Sequence, residues 1–242
     1  MKSDKFFIYV LVVLLILSPA SLLALPDTTA PESAPPNVLA SISIGKIFTY
    51  FMVMLGPIKL LGPFVKISRG MDAPATRMLA LKGFGIACFA GLVAAMVGKQ
   101  ILNSWGVSLP ALLLAAGLVL LLVALKAVLA QYEPPAGLSA ETDSAPKYLA
   151  LSPLAFPNII TPYGIAALIL LDAAVPAEQA PVIFGVFLAV MCINLVAMLF
   201  ARTILKYGAD VLTILGAVLG VLQVALAIQM LMLACRMLGI IQ

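Results

Sequence analysis

The residues able to do chemistry in this chain are few, and most sit where a helix should not continue. Two stretches of an otherwise apolar sequence carry helix breakers: Gly56-Pro57-Ile58-Lys59-Leu60-Leu61-Gly62-Pro63-Phe64 and Pro153-Leu154-Ala155-Phe156-Pro157-Asn158-Ile159-Ile160-Thr161-Pro162-Tyr163-Gly164. A proline inside a helix removes one donor and frees the carbonyl of the preceding turn. In hydrocarbon that freed group has to be covered by protein or face a wet cavity. Such carbonyls suit an ammonium group or a small cation. A helix restarting after Pro162 offers the amides of Tyr163 and Gly164 to a carboxylate at its positive dipole end. The candidate binding residues of the two stretches are Gly56, Pro57, Lys59, Gly62, Pro63, Pro157, Asn158, Thr161, Pro162, Tyr163 and Gly164. Asn194, Gln223 and Gln229 join them from later apolar runs. Asn194 and Gln223 lie deep enough in those runs to require partners. Taken singly, each polar residue reads as an interhelical hydrogen bond, worth under about 2 kcal/mol; as a set around two breaks they outline a polar pocket. Lys59 either snorkels inward from near the interface or supplies a positive charge for an anionic group.

Other chemistries are excluded early. The chain has no histidine, which removes Ser-His and Cys-His catalysis and histidine-ligated metals. Cys88, Cys192 and Cys235 stand far apart in apolar runs, without a CxxC pair, and read as small core hydrophobes. No aspartate or glutamate falls in the middle of an apolar run, so a carboxylate proton relay is missing. With no HExxH helix and no paired intramembrane aspartates, an intramembrane enzyme is set aside. No cofactor or metal is expected. The net charge of +4 is too small and dispersed for a nucleic-acid footprint.

The elements that must position these residues are membrane helices. Of 242 residues, 64% are hydrophobic and 10% charged, with a mean hydropathy of +1.18. A soluble domain carries about 25% charged residues, so a soluble globule is excluded. Apolar runs cover 6–24, 38–65, 78–102, 107–130, 149–171, 180–201 and 211–235, each close to the roughly 20 residues that cross a bilayer. The first has the form of a secretory signal: Lys2 and Lys5, an apolar stretch from Phe6 to Leu17, then Ser18-Pro19-Ala20. The alternative is an uncleaved seventh helix. Residues 1–24 are therefore read as a signal sequence or anchor, and 25–37, rich in proline, serine, threonine and acid, as a disordered extracytoplasmic linker. Six spans remain, in an all-α bundle: a first membrane repeat at 38–131, a cytoplasmic loop at 132–148 and a second repeat at 149–242. With the linker outside, Lys66, Arg69, Arg77, Lys82, Lys147, Arg202 and Lys206 fall inside, and only Lys46, Lys99 and Arg236 outside. The positive-inside rule then places both mature termini outside.

The breaks fall in the first and fourth spans, the first members of two sets of three. A duplicated three-span unit inserts with opposite orientations, the inverted-repeat plan in which corresponding interrupted helices mark a binding site. Small residues line other spans: Gly83, Gly85, Gly91 and Gly98; Ala115, Ala116 and Gly117; and the GxxxG pair Gly216 and Gly220, read as close packing within one subunit.

At these residues the sequence resembles the MarC family of bacterial inner-membrane proteins, also described as small neutral amino acid transporters. The likeness spreads over most of 45–235. It is carried by Gly106-Val107-Ser108-Leu109-Pro110-Ala111 leading to Ala124-Leu125-Lys126, by Pro153-Leu154-Ala155-Phe156-Pro157 with Thr161-Pro162, and by Ala227-Ile228-Gln229-Met230. The resemblance implies six spans, kinship with exporters of the lysine-exporter type and a place in the inner membrane. Against the family pattern, Gly56 replaces a polar residue, Lys59 a glycine and Gly62 a proline. Leu113 stands where an arginine is frequent, and Asn158 and Thr161 where an apolar residue and a glycine are favoured. The expectation is a secondary transporter or exporter of a small neutral amino acid or similar zwitterionic solute, with a possible coupling cation as a further partner. The alternative is a non-transporting membrane scaffold or partner subunit.

Overall fold

In the computed structural model, residues 44–130, 150–175 and 178–240 are described, and all regular structure among them is helical. The signal segment, the linker and the 132–148 loop of the sequence reading lie outside the described residues. Helix α1 (Ile44–Leu55) and helix α2 (Pro57–Ile67) follow each other across the single residue Gly56 and form span one. Helix α3 (Ala73–Trp105) is span two, and helix α4 (Leu109–Leu129) is span three. The irregular segment Ala150–Ile159 and helix α5 (Pro162–Ala174) form span four, helix α6 (Ala180–Leu199) span five, and helix α7 (Ala201–Met237) span six. Among the described residues, five stretches are long and apolar enough to cross a membrane. The bent pair Ala150–Ile159 with Pro162–Ala173, turned by 60°, makes a sixth if it is one span.

Local sequence explains the helix ends. Pro57, Pro74, Pro110, Pro162 and Pro181 each sit in the first turn of their helix, where a missing amide costs nothing and the fixed φ fits. The Ser108 hydroxyl accepts from the Ala111 amide at the start of α4, an N-cap that satisfies one orphan donor. Helix α3 stops at Gly106, whose φ of 66° is left-handed, while the Val107 amide donates to the Leu102 carbonyl at 2.9 Å. Glycine takes that conformation without a Cβ clash, so it closes helices in this way. Gly208 leaves helical geometry (φ −131°, ψ 17°) and separates a short leading piece of α7 from the apolar stretch that starts at Val211.

The packing follows from side-chain size. Span two turns Ala80, Gly83, Ala87, Gly91, Ala95 and Gly98, all buried, toward one side. A Cβ added at Gly83 would meet Leu154, at Gly91 Phe187 and Ile160, and at Gly98 Ile169, whereas at Gly85 it would meet nothing. The small stripe thus lets span four, and Phe187 of span five, approach the α3 backbone. Gly117 similarly receives Leu231 of span six, and spans three and six pack along each other more extensively than any other pair. Span one lies on spans five and six, span four on spans two and three, and span two also touches span five. Spans one and four meet directly, α2 against Ala150–Ile159 and α1 against α5. The outward faces keep large apolar side chains such as Phe89, Met96, Leu122, Ile214 and Val221 exposed. Acyl chains cover such faces, which would be a liability in water.

Two polar ties hold opposite ends of the bundle. At one end the Arg202 guanidinium, between spans five and six, lies 2.9 Å from the Ser68 carbonyl, 2.7 Å from that of Met71 and 3.0 Å from the Thr76 hydroxyl. The two carbonyls belong to the turn joining spans one and two, and Thr76 to the first turn of α3. At the other end Lys99 Nζ, late in span two, donates to the Asp172 carbonyl, late in span four, at 3.4 Å. Spans two and four therefore finish on the same side.

Candidate functional site

The interior holds two helix interruptions. In span one only Gly56 leaves the helix (φ −67°, ψ 162°), caps α2 without any side-chain bond, and is followed at once by Pro57. Side chains from two distant spans take up the carbonyls stranded at the end of α1. Asn194 Nδ2 of span five donates to the Leu55 carbonyl at 2.6 Å, and Gln223 Nε2 of span six donates to the Val53 carbonyl at 2.5 Å. All four residues are buried, with Asn194 wholly sequestered at 0% exposure and Gln223 at 1%. Asn194 Oδ1 is left buried with no hydrogen-bond partner among the described residues. An unpaired buried acceptor costs about 1–3 kcal/mol, so this atom calls for an explanation.

Span four is interrupted differently. Ser152 (φ −135°, ψ 130°) and Phe156 (φ −129°, ψ 129°) are extended, and the peptide bonds before Pro153 and Pro157 are cis. Neighbours satisfy the loose groups: Asn158 Nδ2 donates to the Pro153 carbonyl at 2.7 Å, and the Ile160 amide to the Ala155 carbonyl at 2.9 Å. Thr161 is the N-cap of α5, its hydroxyl accepting from the Gly164 amide at 3.1 Å. One of the two amides expected to face a ligand is therefore capped within the protein.

Lys59, third residue of α2, donates through Nζ to the Tyr163 hydroxyl of α5 at 2.9 Å. Nζ also lies 5.1 Å from the Tyr163 ring centroid. With the hydroxyl so close, the ammonium sits at the phenol's polar end, and the hydrogen bond outweighs any interaction with the ring face. Gly164 packs against Leu55, since a Cβ there would collide with the end of the Leu55 side chain. Phe51 of span one and Phe187 of span five stack edge to face beside the first break, with centroids 6.1 Å apart.

The structure thus brings Gly56, Pro57, Lys59, Tyr163, Gly164, Asn194 and Gln223 together, with Thr161 as the cap beside them. Gly62 and Pro63 lie inside continuous α2, a turn beyond Lys59, and do not break it. The second pair of breakers in span one therefore corrects the expectation of a long interrupted stretch to a one-residue break near mid-span. Pro157 and Pro162 are exposed, Asn158 is tied back into its own segment, and Gln229 is exposed on span six. The Arg202 tie was legible in sequence only as a base favouring one side, because the carbonyls that it meets carry no side-chain signature. The described residues hold no group of three histidine, cysteine or acidic side chains that could bind a metal, and the three cysteines are free.

Comparison with known proteins fits this architecture. The family model described as MarC family integral membrane protein matches residues 42–238. A "UPF0056 membrane protein" of Buchnera aphidicola subsp. Schizaphis graminum is 25% identical over 180 residues, covering 74% of this chain and 89% of that protein. A second, from Methanocaldococcus jannaschii, is 27% identical over 194 residues, covering 78% of this chain and 94% of its own. No solved structure matches the chain. Both breaks and every residue gathered around them lie within the matched region, and the chain belongs to the MarC family of integral membrane proteins.

Proposed function

We infer that the protein is a secondary transporter or exporter of a small neutral amino acid or similar zwitterionic solute, with its site where spans one and four are interrupted. The observation that carries this reading is the buried polar cluster at the first break. Asn194 and Gln223, from spans five and six, converge on the α1 carbonyls, and Asn194 keeps one oxygen unpaired. A bundle built only for stability would fill that place with apolar side chains, because buried polar groups are costly unless fully paired.

An inverted repeat of spans one to three on spans four to six belongs to the same reading. Exchanging the halves turns the packing of span one on span five into that of span four on span two. It likewise turns span one on span six into span four on span three, while the pairs three–six, two–five and one–four map onto themselves. Each of these contacts is present. Interrupted helices at corresponding places in inverted repeats are the usual mark of a transporter site. We place both mature termini outside in the inner membrane, with the Arg202 end facing the cytoplasm.

Proteoliposomes loaded or bathed with labelled glycine, alanine or serine test the function. Saturable flux of at least one supports transport. No saturable flux in either direction supports the scaffold reading.

A further inference from the structure

The electrostatics around Lys59 are incomplete. Lysine in the first turn of a helix faces the positive end of the dipole, where a carboxylate is the favoured neighbour. Here the Lys59 ammonium also reaches the first turn of a second helix, α5, through the Tyr163 hydroxyl. The Lys59 amine, in the first turn of α2, thus has for its partner a phenol carried by the first turn of α5. Among the described residues the acids are Asp72, Asp172, Glu178 and Asp210, and each lies at a span end or in a connection. A phenol hydroxyl can accept a hydrogen bond from an ammonium but cannot neutralise it, and an unpaired charge in a low-dielectric interior is costly. Across the same break, at the negative end of α1, lies the opposite deficiency: Asn194, bound to the Leu55 carbonyl through Nδ2, keeps a buried Oδ1 that lacks a donor.

Resting on the transporter reading, we propose that Lys59 is the carboxylate-binding residue and Asn194 Oδ1 the ammonium acceptor of one bipolar site. The solute carboxylate replaces the Tyr163 hydroxyl as partner of Lys59, and its ammonium supplies the donor missing at Asn194. The ligand class is then an α-amino acid that presents both groups, and neither group alone suffices. Because the Lys59–Tyr163 bond ties spans one and four together, binding also releases a direct link between the two broken helices.

Thermal unfolding of the detergent-solubilised full chain, titrated with L-alanine, propionate and ethylamine at neutral pH, tests this. Alanine should raise the wild-type midpoint saturably, with propionate and ethylamine each at least tenfold weaker, roughly the value of one charged hydrogen bond. Lys59→Met should fold, because methionine is an apolar near-isostere, yet lose the alanine shift, and Lys59→Arg should restore most of it. Tyr163→Phe should bind alanine more tightly, since the competing hydroxyl is gone. An equal alanine shift in wild type and Lys59→Met, or propionate matching alanine, overturns the bipolar site and leaves the transporter reading standing. A wild type unmoved by alanine, glycine and serine removes both.

Discussion

At Gly56 the loose ends of the backbone are tied to helices far along the chain, whereas at Thr161 they are tied to their own neighbours. Asn194 and Gln223 reach across from spans five and six to hold Leu55 and Val53. Thr161 and Asn158 satisfy groups within a few residues of themselves. The first break barely interrupts the course of its span, while the second turns it by 60°. The first therefore depends on the assembled bundle and can sense changes elsewhere in it; the second is a locally stabilised bend. Its part in the site is to deliver Tyr163 and Gly164 against the first.

This contrast orders the expected effects of substitution on stability, measured by denaturation in mixed micelles. The largest should come from Gly56→Ala, whose Cβ would run into the Met52 backbone carbonyl. With no flexible atom to yield, a loss of roughly 2–3 kcal/mol is expected, within the range for overpacked sites. Gly164→Ala meets side-chain atoms, the end of Leu55 and the Thr161 hydroxyl, and should cost less; equal losses would remove the distinction between the breaks. Gln223→Leu strips the partner from the buried Val53 carbonyl and should cost about 1–2 kcal/mol. Thr161→Ala removes a local helix cap, with an expected loss of about 1 kcal/mol and little change in alanine affinity compared with Lys59→Met. Asn194→Leu should be the smallest. It orphans the Leu55 carbonyl but also removes the unpaired Oδ1, two terms of about 1–3 kcal/mol with opposite signs. A destabilisation as large as that of Gln223→Leu would mean that Asn194 is a structural tie like its neighbour.

Several parts of this arrangement were legible in the sequence because they rest on strong local rules. Proline and glycine announced both interruptions, apolar runs of membrane length marked the spans, and Gly83, Gly85, Gly91 and Gly98 stood out as small residues of span two, although only the structure shows that Gly85 faces open space while the other three receive neighbouring side chains. The depth of Asn194 and Gln223 in apolar runs marked them as needing partners. Their partners were not legible, because the Val53 and Leu55 carbonyls have no side-chain identity and the pairing spans more than a hundred residues. Pro63 misled for a related reason. A proline in a helix interior reads as a break, yet α2 continues through it and gives up only the bond its ring forbids. Gln229 resembled Gln223 in type and neighbourhood, and helical rotation alone turned it outward.

The central claim is that the first break is a solute site for which Asn194 is kept at no benefit to stability. Counterflow of labelled alanine into proteoliposomes, run in parallel for wild type and Asn194→Leu, tests it most directly. The account predicts saturable accumulation by wild type and none by Asn194→Leu, with the two proteins unfolding at nearly the same denaturant concentration. Accumulation by Asn194→Leu equal to that of wild type would contradict it.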